Sequence, residues 1–123
     1  MDYKHEAVSF RFFAILASEL DALREHCADA RSRPARAREG RVTAVFSLRA
    51  GVDYTWLAEF IERHEISEEE YGLVFAVSTS FPSGVVRAPA FAAKLHRKVG
   101  GVLDFSFTVL TEEWDEVLEK PET

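Results

Sequence analysis

Tyr71–Leu110, YGLVFAVSTSFPSGVVRAPAFAAKLHRKVGGVLDFSFTVL, decides the architecture. Leu73, Phe75, Val77, Thr79 and Phe81 share one face of an extended run, and Val74, Ala76, Ser78 and Ser80 share the other. Pro82-Ser83-Gly84 closes the run as a turn. Pro89 then stands where a helix tolerates proline, in its first turn, and Phe91, Ala92, Leu95 and Val99 recur at helical spacing. Gly100-Gly101 stops that helix. Leu103, Phe105, Phe107 and Val109 alternate with Asp104, Ser106 and Thr108 in a second strand. The stretch reads as strand, helix, strand with its apolar face marked.

Working outward, Val8–Ile15 is the first strand, with Val8, Phe10, Phe12 and Ala14 on one face and Ser9, Arg11, Phe13 and Ile15 on the other. Ser18-Glu19-Leu20-Asp21 matches a capping box, and Leu20, Leu23 and Cys27 form the stripe of a helix that ends near Ala28–Ala30. Asp29–Gly40, rich in arginine and broken by Pro34, reads as an exposed loop. Arg41–Arg49 is a strand with Val42, Ala44, Phe46 and Leu48 inward. Asp53 caps a helix lined by Trp56, Leu57, Phe60, Ile61 and His64. Ile66–Glu70 is a polar connector. Beyond Leu110, Thr111 caps a short helix carrying Trp114, Val117 and Leu118, and Lys120–Thr123 is a tail. The order is βαβαβαβα. Every strand alternates, which gives one buried and one wetter face. The expected fold is therefore α+β, a two-layer α/β sandwich: a four-stranded sheet with helices on one face, pairing parallel or mixed.

One hundred and twenty-three residues make a single domain, 1–123, with an ordered core over about 7–119. Ten phenylalanines and two tryptophans suffice for a core, and the lone Cys27 excludes an internal disulfide and suits a reducing, cytoplasmic compartment. No apolar run approaches the roughly 20 residues of a membrane span. Asp2, Glu6 and Arg11 argue against a signal peptide. A net charge of −6 disfavours nucleic acid as a partner.

Three candidate surfaces emerge. The open sheet face would carry Arg11, Arg49, Ser78 and Asp104 among hydroxyls such as Ser9, Thr43 and Ser47, and could dock a protein; the same residues suit a plain solvated face. Arg31, Arg33, Arg36, Arg38 and Arg41 could clamp phosphates or an acidic patch, or simply line a solvated loop. Two acidic segments, Glu62, Glu65, Glu68, Glu69 and Glu70, then Glu112, Glu113, Asp115, Glu116 and Glu119, could cover a basic active site or be ordinary helix surface. His5, His26, His64 and His96 include no pair at helical spacing and Cys27 no second cysteine, so no metal or other cofactor is expected. There is no glycine-rich phosphate loop and no nucleophile elbow, so no catalytic residue is singled out.

The layout resembles the small bacterial proteins grouped as domain of unknown function (DUF) family 4279. The resemblance is carried by Ser9-Phe10-Arg11-Phe12-Phe13, by the loop from Arg33-Pro34 to Arg38-Glu39-Gly40, and by Gly84 through Val109, and it covers about residues 8–110. It implies no catalytic residues. By type, a small, acidic, cysteine-poor α/β chain is also similar to bacterial immunity proteins, which neutralise a toxin of the cell's own kin. The expectation is a non-enzymatic protein-binding domain, most concretely an immunity protein that occludes a toxin's active site. It would be a monomer or weak homodimer. The alternative is a small-molecule binder or minor enzyme with a pocket between sheet and helices, near Trp56, His64 and His96.

Overall fold

A computed structural model describes residues 4–36, 38–80 and 87–109. Among these residues, three helices and one mixed five-stranded sheet make an α+β fold. In chain order the elements are β1 (Lys4–Ile15), α1 (Ala17–Arg24), β2 (Arg31–Pro34), β3 (Val42–Ser47), α2 (Thr55–Arg63), a single 3₁₀ turn (Glu68–Glu70), β4 (Tyr71–Thr79), α3 (Ala90–Val99) and β5 (Val102–Val109). The sheet order is β2-β3-β1-β4-β5. The first three pairings are antiparallel, and β4 and β5, joined through α3, run parallel. A helical crossover is what a parallel pair needs.

The expected four-strand sheet gains a fifth strand because Arg31–Pro34, read as loop, pairs with β3. Proline is tolerated there because β2 is the edge and Pro34 is its last residue. The βα alternation fails at the same point, since β2 and β3 follow each other through a tight connection closed by the Ala35 N–H on the Arg41 carbonyl at 3.0 Å. The expected turn at Pro82–Gly84, with Phe81 before it, and the helix carrying Trp114, Val117 and Leu118 lie outside the described residues.

The core forms on one sheet face. Phe10 and Phe12 of β1, in the middle of the sheet, are fully buried, and Phe46, Tyr71, Leu73 and Phe75 flank them. The Phe10 ring stacks on Phe46 at 5.6 Å and on Tyr71 at 5.8 Å. Leu20 and Leu23 of α1, Leu57, Phe60 and Ile61 of α2, and Ala92, Leu95 and Val99 of α3 pack into the same cluster. Burying each of the leucine, isoleucine, valine and phenylalanine side chains contributes about 1.5–3 kcal/mol.

Two local features depart from simple alternation. Phe12 pairs with Ala44 but Ile15 pairs with Val42, so β1 holds one extra residue, a bulge. The bulge buries both Ala14 and Ile15, which strict alternation would put on opposite faces. It also frees two carbonyls, and side chains satisfy them: Thr43 Oγ1 donates to the Phe13 carbonyl at 2.7 Å and Arg41 Nη1 to that of Ala14 at 3.3 Å. The second feature is the start of α1. Ser18 lies inside the helix and caps nothing; Leu16 holds the cap position and its N–H donates to Glu19 Oε1 at 2.8 Å. Leucine has no acceptor, so only the acidic half of a capping box exists. The helix ends at Arg24, short of Ala28–Ala30, and Arg24 then pins the following loop through the Ala30 carbonyl at 3.1–3.2 Å.

The other helix ends follow known rules. Asp53 Oδ1 accepts the Thr55 hydroxyl and the Thr55 N–H, the latter at 2.9 Å, and these bonds, the hydroxyl's first, hold its carboxyl below its ordinary value. At the end of α2, the Ile66 N–H reaches the Ile61 carbonyl and the Glu65 N–H that of Glu62, both at 3.1 Å. This is a Schellman motif with Glu65 in the left-handed position, φ 53°, that glycine usually takes. Gly101, at φ 95°, is different: a Cβ there would come within 2.7 Å of the Tyr71 ring.

Candidate functional site

On the sheet face opposite the core, strand register builds an arginine cluster. Arg11 of β1 and Arg31 of β2 both lie opposite Val45 of β3, one from each side, and Arg33 lies opposite Thr43 in the next row. Two strand spacings, about 10 Å, separate the Arg11 and Arg31 backbones, within reach of two long side chains closing on one ligand. A concavity of about 280 Å³ lies between them, lined by Arg11, Arg31, Ser32, Arg33, Thr43 and Val45. It shares Arg11, Arg33 and Thr43 with a neighbour of about 370 Å³, whose walls add Phe13, Arg36, Arg38, Glu69 and Glu70. Thr43, whose hydroxyl holds the bulge carbonyl of Phe13, lines both.

The guanidiniums divide by use. Arg24 is tied to the Ala30 carbonyl, Arg41 to the Ala14 carbonyl, and Arg38 to Glu70 Oε1 at 3.2 Å. Among the described residues, Arg11, Arg31 and Arg33 hold no carboxylate. The Nε of Arg11 is moreover buried without any hydrogen-bond partner. A buried charged donor left unpaired costs free energy. Bidentate pairing with carboxylate or phosphate is what a planar guanidinium does best.

Of the surfaces anticipated from sequence, three converge here: Arg11 from the open face, Arg31, Arg33, Arg36 and Arg38 from the arginine-rich stretch, and Glu69 and Glu70 from the first acidic segment. Others stay apart. Ser78 lies opposite His5, at the far end of β1 from Arg11, and Asp104 sits on β5, across Val74 from Ser9. Arg49 is exposed beyond the end of β3, where its N–H donates to the Tyr54 hydroxyl at 2.8 Å. Glu62 and Glu65 sit at the end of α2 and Glu68 in the 3₁₀ turn, all exposed. Glu112, Glu113, Asp115 and Glu116 lie outside the described residues. Sequence reasoning missed that Arg31 and Arg33 are strand residues sharing a face; the signal was their spacing of two ahead of Pro34.

The residues suggested for a sheet–helix pocket make packing and polar contacts, and His64 also lines a concavity of about 220 Å³ with Glu19, Arg41 and Glu70. Trp56 stacks on His26 at 4.4 Å and contacts Phe46 and Phe60; His64 packs on Phe60 and sits 3.5 Å from Glu19 Oε2; His96 Nε2 lies 3.1 Å from the Gly101 carbonyl oxygen. Cys27 is half-buried, and desolvation, with the Asp29 charge second, pushes its thiol up to about 11. Among the described residues no group of histidine, cysteine and carboxylate side chains could hold a metal ion, and no helix is long and apolar enough to cross a membrane. No family model, no curated protein and no solved structure matches the chain.

Proposed function

We propose that this chain is a non-enzymatic protein-binding domain that uses the open sheet face, and that its concrete form is an immunity protein covering the active site of a bacterial toxin domain. One observation carries the reading: Arg11, Arg31 and Arg33 stand together on one face without carboxylate partners among the described residues, while Arg24, Arg38 and Arg41 are engaged. The three would pair with acidic groups of the partner, and the exposed Glu69 at the rim would meet its cations. Complementary charge of both signs favours specificity and fast association over raw affinity. The first acidic segment alone carries less of the binding than its composition suggests, because Glu70 already pairs with Arg38.

The test is capture of the partner by tagged full-length protein in its native host, comparing wild type with the triple variant R11Q/R31Q/R33Q and with an R49Q control. Hydrogen bonds to charged groups contribute about 1.5–3 kcal/mol each, so the triple variant should lose stoichiometric capture by more than a hundredfold in affinity while R49Q keeps it. Co-expression of the captured protein should arrest growth with the triple variant and not with wild type. Equal capture by wild type and triple variant would refute the reading. The joined concavities also have the size of a small-ligand site, which favours an anionic metabolite as second reading. A rise in Tm with one carboxylated or phosphorylated compound, abolished in R11Q, would select it.

A further inference from the structure

The two edges of the sheet are built in opposite ways. β2 is four residues long, carries Arg31 and Arg33, and ends in Pro34. Shortness, charge and proline are the devices that keep an edge from pairing with another chain. β5, at the other edge, is eight residues long, contains no proline and carries one charge, Asp104. Its core-side row is also uncovered. Leu103, Phe105 and Phe107 lie in register with Leu73, Phe75 and Val77, which are at most 4% exposed, yet they are themselves 41%, 56% and 40% exposed. The Phe105 ring stacks on Phe75 at 5.1 Å, so the core runs out onto β5 and stops there without a lid among the described residues.

We propose that a second copy of this chain occupies the edge, β5 pairing antiparallel with its twin about a two-fold axis at Phe105. A two-fold perpendicular to the sheet keeps the two core-side faces on one side, and same-face pairing across it leaves few registers. Centred on Asp104, the pairing would set two carboxylates directly opposite, which is unfavourable. Centred on Phe105, it sets Phe105 against Phe105, Leu103 against Phe107 and Asp104 against Ser106 of the other copy. The apolar row then runs unbroken across the axis, and each lone carboxylate meets a hydroxyl. The result is a continuous sheet of twice the five strands, closed as most homodimers are, with an arginine concavity at each outer end.

Sedimentation equilibrium and light scattering on the full chain test this. Wild type should dimerise reversibly in the micromolar range, and F105E should be monomeric. Ser106 and Asp104 are exposed, so changes there leave the subunit intact. S106K creates two opposite-charge pairs per dimer and should tighten Kd by about 2- to 30-fold; S106D creates two like-charge pairs and should weaken it by a similar factor. The swap D104K/S106D turns the two like-charge pairs of S106D into two opposite-charge pairs and should tighten Kd relative to wild type by about the same factor as S106K. A register centred on Ser106 would instead make S106K and S106D both weaken the dimer, and that result overturns the proposal. So does a wild-type chain monomeric at several hundred micromolar. If such a monomer lost several degrees of Tm on F105E, another part of the chain would be the occupant; with Tm unchanged, the edge would have none.

Discussion

Replacing Tyr71 with phenylalanine deletes one oxygen atom and isolates its contribution. Tyr71 is 2% exposed at the start of β4. Its hydroxyl donates to the carbonyl of Val99, the last residue of α3. The final carbonyls of a helix have no partner within it, and Val99 is itself buried, so without the hydroxyl its carbonyl is left in an apolar setting. The ring contacts to Phe10 and Phe12 survive in the variant. The cost is therefore that of one orphaned buried acceptor, about 1–3 kcal/mol. Unfolding entropy of about 2.1 cal/mol/K per residue gives this chain about 0.26 kcal/mol/K, so Tm should fall by about 4–12 °C near neutral pH. Alkaline pH supplies a second readout. Burial, then the Glu68 charge, raises the Tyr71 ionisation above its ordinary value near 10. A folded-state value above the unfolded one means that the stabilisation is complete below about pH 10 and is lost as pH rises through the folded value. The gap between wild type and Tyr71→Phe should therefore narrow above pH 10. Thermal unfolding followed by circular dichroism at pH 7 to 11 checks both. A variant melting within about 1 °C of wild type at pH 7, or a gap that widens with pH, would refute the argument.

Thr43→Val keeps shape and removes the hydroxyl that holds the bulge carbonyl of Phe13; urea unfolding should show a loss of about 1–2 kcal/mol, with faster amide exchange around Phe13–Ile15. Glu65→Gly relieves a left-handed backbone position that costs a non-glycine residue about 1–2 kcal/mol, offset in part by glycine's unfolded-state freedom; it should raise stability by about 0.5–1 kcal/mol, and any destabilisation would contradict the Schellman assignment. Cys27, with its thiol raised from 9.0 to about 11, should be alkylated by iodoacetamide at pH 7.5 roughly a hundredfold more slowly in the native protein than in urea, because the thiolate is the reacting form.

Much of the fold could be read from period alone. The alternation in Leu73–Val77, the helical spacing of Ala92, Leu95 and Val99, and the Gly100-Gly101 stop all appear where the residues place them. Pairing was not legible, because nothing local to β4 says that it runs antiparallel to β1 and parallel to β5. β2 was hidden for a related reason: an edge strand exposed on both faces has no apolar alternation, and its polar residues read as loop. The bulge was invisible because Ala14 and Ile15 are both apolar and satisfy either register. The candidate site shares these blind spots. Arg11 and the arginine-rich stretch were both visible, but only the β1–β3–β2 register shows that Arg11, Arg31 and Arg33 face one concavity.

The position of β1 in the sheet has a consequence for how the chain is born. β1 precedes both of its partners in the chain and is the middle strand of the sheet, with neighbours that end at Ser47 and Thr79. Sixty-four residues separate the end of β1 at Ile15 from the end of β4 at Thr79. At translation rates of roughly 5–20 residues per second, that is about 3–13 s during which Phe10 and Phe12 lack a complete partner set. Vectorial synthesis therefore cannot assemble this domain piece by piece from its N-terminus. The nascent chain must carry β1 with one of its two edges unpaired until Thr79 has emerged, which makes that strand the natural site of chaperone engagement and the segment whose solubility limits expression.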